Sequence, residues 1–190
     1  MSDNKSIINL KEKLRQALNS TVRVISEDFK IENNTDKNKS SVKFDFFNLD
    51  NLNTKNDFIK VRADADSSAL KIKFSDDKVY KKNLPLNNSY KSLYSIAEKI
   101  RYESLGIKML KGIEKNLKEN YKQIIDLKRK DQLKTKEDVP VIEAFELYML
   151  KKFHNIQLNS LTSKMLSFWE KDFDIAVDKH IKYLKENLES

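Results

Sequence analysis

Apolar residues recur at helical spacing over most of the chain. Residues 7–28 place them on one stripe, with Lys and Glu on the opposite face, and predict helix one. Residues 89–126 continue the same spacing without interruption, after Pro85 and after possible caps at 87–89. A helix of this length would be on the order of 50 Å long. We predict that it is the long central helix of the fold.

Residues 139–188 predict a C-terminal pair of helices. Asp138 and Pro140 are typical of a cap followed by a first-turn proline, and Asn159 or Ser160 can cap the second helix. Apolar residues are dense along both helices. We therefore expect the pair to pack against the long helix.

Residues 41–61 predict a small β element. Ser41 to Phe46 alternates strictly between apolar and polar residues, and Phe58 to Val61 is a candidate partner strand, so we expect a hairpin. In residues 62–82 the pattern leaves helix and strand open over 66–75, with Asp64 or Asp66 as a possible helix cap. The predicted fold is mainly α, a helical assembly around one long central helix with a small β-hairpin, in a single domain of residues 1–190.

Composition limits the location and the partners of the chain. It contains no cysteine, which excludes disulfides and thiolate metal sites, and no apolar run approaches the roughly 20 residues of a membrane span. We expect a cytoplasmic protein without a membrane partner. The net charge of +8 comes mostly from Lys. Because nucleic-acid readers depend on Arg, a solvated surface is favoured, with a basic helical nucleic-acid-binding or protein-interaction module as the alternative.

Residues that could carry chemistry are few and scattered. The chain has only two glycines, both within the long helical pattern, so no phosphate-binding loop is predicted. His154 and His180 have no further ligand at metal spacing, and we interpret each as a surface or helix-end residue. The acidic and serine residues at 64–68 suit helix capping better than a magnesium site. We therefore predict no catalytic residue, no metal site and no active site in this chain.

One segment of the long helical pattern predicts an interaction or packing motif. Its residues are Glu98, Arg101, Glu103, Gly106, Gly112 and Asn116. Glycine in a helix costs about 1 kcal/mol against alanine, so two of them indicate either a close approach of another backbone or a kink. Glu98 and Arg101, three residues apart, can pair, while Glu103 is directed elsewhere.

This segment, written Glu-x2-Arg-x-Glu-x2-Gly-x5-Gly-x3-Asn-Leu, resembles the N-terminal region of the CobT family. CobT is a subunit of the aerobic cobaltochelatase, which inserts cobalt into hydrogenobyrinic acid a,c-diamide. The stretch from Arg62 to Lys71 is similar to the family's Arg-Gly-x-x-Asp-x-x-Ala-Leu and favours a helix there. Pro85, the Pro140-x-x-Glu-Ala stretch and Phe168-Trp169 also match.

The resemblance implies a non-catalytic part of an ATP-driven chelatase. ATP hydrolysis belongs to a CobS-like AAA+ partner and the macrocycle chemistry to a CobN-like large subunit. The complex would use ATP, magnesium and cobalt, none of them bound by this chain. CobT proteins continue through an acidic linker into a von Willebrand A domain with a metal-ion-dependent adhesion site. This sequence ends at Ser190 with neither, so we expect a fragment, a truncated piece or the product of a split gene.

Overall fold

The computed structural model describes residues 2–29, 49, 52–127 and 133–187, and most of these residues are helical. The mainly α prediction is confirmed, and no strand occurs in the described ranges. The chain divides into two compact units, Met1–Phe74 and Ser75–Ser190. The single domain of residues 1–190 stays a prediction. In chain order the described helices are α1 (Ser2–Ser26), α2 (Lys55–Phe74), α3 (Asp77–Lys82), α4 (Asn88–Met109), α5 (Lys111–Leu127), α6 (Val141–Phe153), α7 (Ser160–Ser167) and α8 (Glu170–Asn187).

The first unit is a packed pair of helices, α1 and α2. Leu18, Val22 and Ile25 of α1 are buried, and α2 contributes three buried alanines, Ala63, Ala65 and Ala69, together with Leu70. Because alanine side chains are short, the two helix backbones can approach closely. An ion pair of 2.5 Å between Lys73 Nζ and Glu27 Oε1 joins the C-terminal ends of both helices.

The predicted hairpin is wrong at its second strand, because Phe58–Val61 lies in the first turns of α2. The reason is a capping box just before these residues. The Asp57 carboxylate accepts the backbone N–H of Thr54 at 2.8 Å, and the Thr54 hydroxyl accepts the N–H of Asp57 at 3.1 Å. The first predicted strand, Ser41 to Phe46, lies outside the described residues. The undecided residues 66–75 are helical through Phe74, and Asp66 is a buried residue inside the helix rather than its cap.

The prediction of a single long central helix is also wrong, because the helix is interrupted at Leu110. This residue has an extended backbone, with φ −140° and ψ 118°, between α4 and α5. Its N–H donates to the carbonyl of Gly106 at 3.1 Å, and its own carbonyl accepts from Ile113 at 3.0 Å. Each of the two helix ends thus keeps a hydrogen bond to Leu110. The apolar spacing continues through it because each helix buries a face of its own, so periodicity alone could not reveal the break.

In the second unit, α6 lies at the centre of the core. It contacts α4, α7 and α8, and α4 also contacts α5. Six residues of α6 are buried: Ala144, Phe145, Leu147, Tyr148, Met149 and Leu150. Burial on several sides follows from having three helical neighbours, and it explains why the helix is so apolar.

The region predicted to form a C-terminal pair of helices contains three helices, because a turn at Phe168 and Trp169 separates α7 from α8. The indole N–H of Trp169 donates to the Val139 carbonyl at 3.1 Å, which ties this turn to the start of α6. Asn159 caps α7 by accepting the N–H of Thr162 at 2.9 Å. Asp138, expected to cap α6, instead accepts the N–H groups of residues 134 and 135 in the preceding turn.

The close packing of α1 and α2 can be tested by a substitution at Ala69, which has no exposed surface. We expect Ala69→Leu to lower the free energy of unfolding by about 1–3 kcal/mol, because added methylenes in a filled contact force the helices apart. Hydrogen exchange measured on peptides from α1 and α2 should show the loss of protection. The control is Ala176→Leu on the exposed face of α8, which should change stability by less than about 0.5 kcal/mol. Equal effects of both substitutions would contradict the packing.

Candidate functional site

Two residues of the predicted motif form a bidentate ion pair on α4. Arg101 Nε donates to Glu98 Oε2 at 2.7 Å, and its Nη2 donates to Oε1 at 2.8 Å. The hydroxyl of Ser75 also donates to Glu98 Oε1, at 2.5 Å. The hydrogen bonds to Glu98 raise the pKa of the Arg101 guanidinium. This pair therefore fastens Ser75, two residues before α3, to the middle of α4.

Glu103 is directed away from that pair and into the core, where its side chain is fully buried. The hydroxyl of Tyr121, on α5, donates to Glu103 Oε2 at 2.6 Å. Burial raises the pKa of Tyr121 well above its usual value, and the Glu103 carboxylate raises it further, so the hydroxyl remains a donor. A carboxylate away from water requires such partners, because an unpaired buried charge is strongly destabilising.

His154 completes this buried polar cluster of Glu103, Tyr121 and His154. It is the C-cap of α6, and its Nδ1 lies 4.0 Å from Glu103 Oε2, while its ring centroid lies 5.7 Å from that of Tyr121. Neither ring nitrogen has a hydrogen bond of good geometry among the described residues, although the nearby backbone of Ile100 opposes part of the fall in the pKa of His154. Burial lowers the pKa of His154 to about 4, so the imidazole is neutral at neutral pH.

Sequence reasoning placed His154 at a helix end or on the surface, and only the helix end is found, since the side chain is 1% exposed. His180 is exposed on α8. The sequence did contain one indication of this buried polar cluster. Glu103 follows Ile100 by three residues and precedes Ile107 by four, so a carboxylate occupies a core-facing position of α4.

A lysine lies at the edge of the buried polar cluster. Lys99 Nζ is 3.9 Å from Glu103 Oε1 and 5.4 Å from the centroid of the Tyr121 ring. Its side chain is 42% exposed, so the ammonium group keeps contact with water while its charge acts on the carboxylate. The positive charge of Lys99 also contributes to the lowered pKa of His154, after the larger effect of burial.

The structure does not bring the two glycines of the motif into one contact. Gly106 is buried near the end of α4, whereas Gly112 is exposed in the first turn of α5, and a Cβ built on it would meet no atom within 4 Å. No described atom comes close to Gly112, whereas a close approach at the buried Gly106, or by a partner backbone, stays a prediction. The other option, a kink, is found as the break at Leu110. Asn116 is half-buried on α5.

The buried polar cluster is suited to fixing helices, not to binding a substrate. All three side chains are at most 2% exposed, so no reacting group from solvent could reach them. The contacts join α4 to α5 and to the end of α6. Within the described ranges no three His, Asp or Glu side chains come close enough to hold a metal ion together, and no helix there is long and apolar enough to cross a membrane.

The hydrogen bond between Tyr121 and Glu103 can be tested by Tyr121→Phe. We expect the free energy of unfolding to fall by about 1.5–3 kcal/mol, because a buried carboxylate loses a charge-assisted hydrogen bond. Urea unfolding followed by the fluorescence of Trp169, the single tryptophan, would measure this loss. Tyr183→Phe, on the exposed part of α8, is the matched control and should have an effect below about 0.5 kcal/mol. A loss no larger than that of the control would contradict the proposed bond.

His154 makes stability depend on pH. Its pKa is lower in the folded protein, about 4, than the ordinary value of 6.5, so the unfolded chain binds the proton more tightly and acid favours unfolding. Between pH 6.5 and 5 we expect a loss on the order of 1.5 kcal/mol from this residue. His154→Phe should remove that part of the pH dependence in urea unfolding, whereas His180→Phe should leave it intact. An unchanged slope in His154→Phe would show that other groups cause it.

Comparison with known proteins identifies the family of the chain. The family model described as cobalamin biosynthesis protein CobT matches residues 9–190, nearly the whole length. No curated protein and no solved structure matches the chain. The resemblance drawn from the motif between Glu98 and Leu117 is thereby confirmed. The chain belongs to the CobT family, and its role lies in cobalamin biosynthesis with the cobaltochelatase.

Proposed function

We propose that this chain is a non-catalytic component of the ATP-dependent cobaltochelatase. It would support the insertion of cobalt into hydrogenobyrinic acid a,c-diamide in the cytoplasm, by assembling with a CobS-like AAA+ subunit and a CobN-like large subunit. ATP, magnesium and cobalt would be used by the complex and bound outside this chain. The observation that carries the proposal is the CobT family match over residues 9–190.

The character of the polar residues supports a role in assembly. The most elaborate polar arrangement of the second unit, the buried polar cluster, is closed to solvent. Two ion pairs at the surface, Lys151 with Glu170 at 2.6 Å and Lys152 with Asp174 at 3.1 Å, join α6 to α8. These groups stabilise one arrangement of α4 to α8. A rigid helical unit of this kind is suited to present a surface to other subunits.

Reconstitution with the two partner subunits tests the proposal. We expect the chain to co-elute with the AAA+ subunit in size-exclusion chromatography when ATP and magnesium are present, and to raise the rate of cobalt insertion by the complete mixture. The chain alone should hydrolyse no ATP. The control is Leu147→Asp, which places a charge in the core of the second unit and should abolish both effects by unfolding it. Full insertion activity without the chain would contradict the role in assembly, and ATP hydrolysis by the chain alone would contradict a non-catalytic role.

A further inference from the structure

Helix α5 carries an exposed row of lysines that takes no part in packing the core. Lys111, Lys115, Lys118 and Lys122 follow one another at steps of four, three and four, so they lie on one face of the helix. We call this row the lysine ridge. Lys115 is 75% exposed in its side chain, and Lys111 and Lys122 are exposed and form no ion pair among the described residues. The ridge extends for roughly three turns, about 16 Å.

Two apolar side chains lie at the N-terminal end of the lysine ridge. Met109 and Leu110, at the break between α4 and α5, are 44% and 47% exposed. Leu110 is the extended residue at the break itself, so its side chain is not part of either helical stripe. These two exposed apolar side chains therefore lie next to the row of positive charges.

Gly112 directly follows Lys111, the first residue of the lysine ridge, and lies about a quarter turn around α5 from the row of lysines. Its φ is not positive, and no described atom would meet a Cβ within 4 Å, so neither its backbone conformation nor the packing of the described chain requires glycine. Glycine is also a poor helix former compared with alanine. What the missing side chain does provide is a flat surface, on which another backbone can approach α5 closely.

We propose that Met109, Leu110, Gly112 and the lysine ridge form a docking surface for an acidic, amphipathic segment of another polypeptide. Apolar side chains of that segment would lie on Met109 and Leu110, its backbone would pass over Gly112, and its carboxylates would pair with the lysines. The proposal rests on the proposed function only for the identity of the protein that carries the segment.

The chemistry of α5 favours a polypeptide over a nucleic acid. Glu114 pairs with Lys118 at 2.7 Å and Glu119 with Lys115 at 4.0 Å, so the positive charges are spaced apart along the helix. Spaced charges match the separated carboxylates of a peptide better than the continuous phosphates of a nucleic acid. Between 111 and 127 there is no arginine to bind bases or phosphates bidentately. The aromatic residue of α5, Tyr121, is buried and offers no stacking surface for bases.

Fluorescence anisotropy with a labelled synthetic peptide tests the docking surface. The probe carries Glu at alternating steps of four and three residues and two leucines at one end, and its Glu→Gln counterpart is the uncharged comparison. We expect the full chain to bind the acidic peptide and not the uncharged one. The double substitution Lys115→Glu with Lys122→Glu should weaken binding at least about 10-fold. The matched pair Lys164→Glu with Lys179→Glu, on exposed faces of α7 and α8, should weaken it less than about 2-fold.

Substitutions of Gly112 distinguish specific docking from general attraction between opposite charges. Because the space beside it is open and glycine is a poor helix former, Gly112→Leu should keep or raise the melting temperature and still weaken peptide binding about 5-fold or more, with Gly112→Ala in between. Equal losses in the two charge-reversed pairs, or full binding by Gly112→Leu, would overturn the proposal. Tighter binding of a single-stranded oligonucleotide of equal charge would also overturn it, in favour of nucleic acid. None of these readouts requires the chelatase subunits, so a failure here is distinct from a failure of the proposed function.

Discussion

Glu103 is a carboxylate without exposed surface, and the arrangement of the second unit depends on satisfying it. Its hydrogen bond comes from Tyr121, which is 18 residues further along the chain and on another helix. A carboxylate in this position tolerates few alternative packings, because any shift that withdraws the hydroxyl removes a charge-assisted hydrogen bond from a buried group. The interaction therefore fixes the distance and the rotation of α5 relative to α4. His154 brings the end of α6 to the same point.

The break at Leu110 is what allows this contact to form. On one continuous helix Glu103 and Tyr121 would lie five turns apart along the axis, on the order of 27 Å. One residue in an extended conformation redirects the chain, so that α5 can pack beside α4 and place Tyr121 against Glu103. Gly106 belongs to the same arrangement, since it is buried in the last turn of α4 and its carbonyl accepts the N–H of Leu110. The kink and the buried polar cluster are thus two consequences of one chain geometry.

The same geometry explains why the interior and the surface of this region differ in role. Buried groups near the break satisfy one another, whereas Met109, Leu110 and Gly112 lie outside the core and the lysine ridge leads away from them along α5. In a member of the CobT family, whose place is in cobalamin biosynthesis, this division suits a subunit that works through contacts. The rigid interior keeps the surface in one shape, which lowers the entropic cost of binding a partner.

The sequence by itself determined the helical class and the CobT family, and it narrowed two helix caps to residues 87–89 and 159–160, because periodicity, capping and motif spacing are local properties of the chain. The structure selects Asn87 and Asn159. It also singled out Glu98, Arg101, Glu103 and both glycines. The tertiary structure alone decided that the long helical pattern divides at Leu110 and that His154 is buried. Each of these depends on what a residue meets elsewhere in the fold. Apolar spacing is the same for one long helix as for two helices that bury matching faces, so only packing distinguishes them.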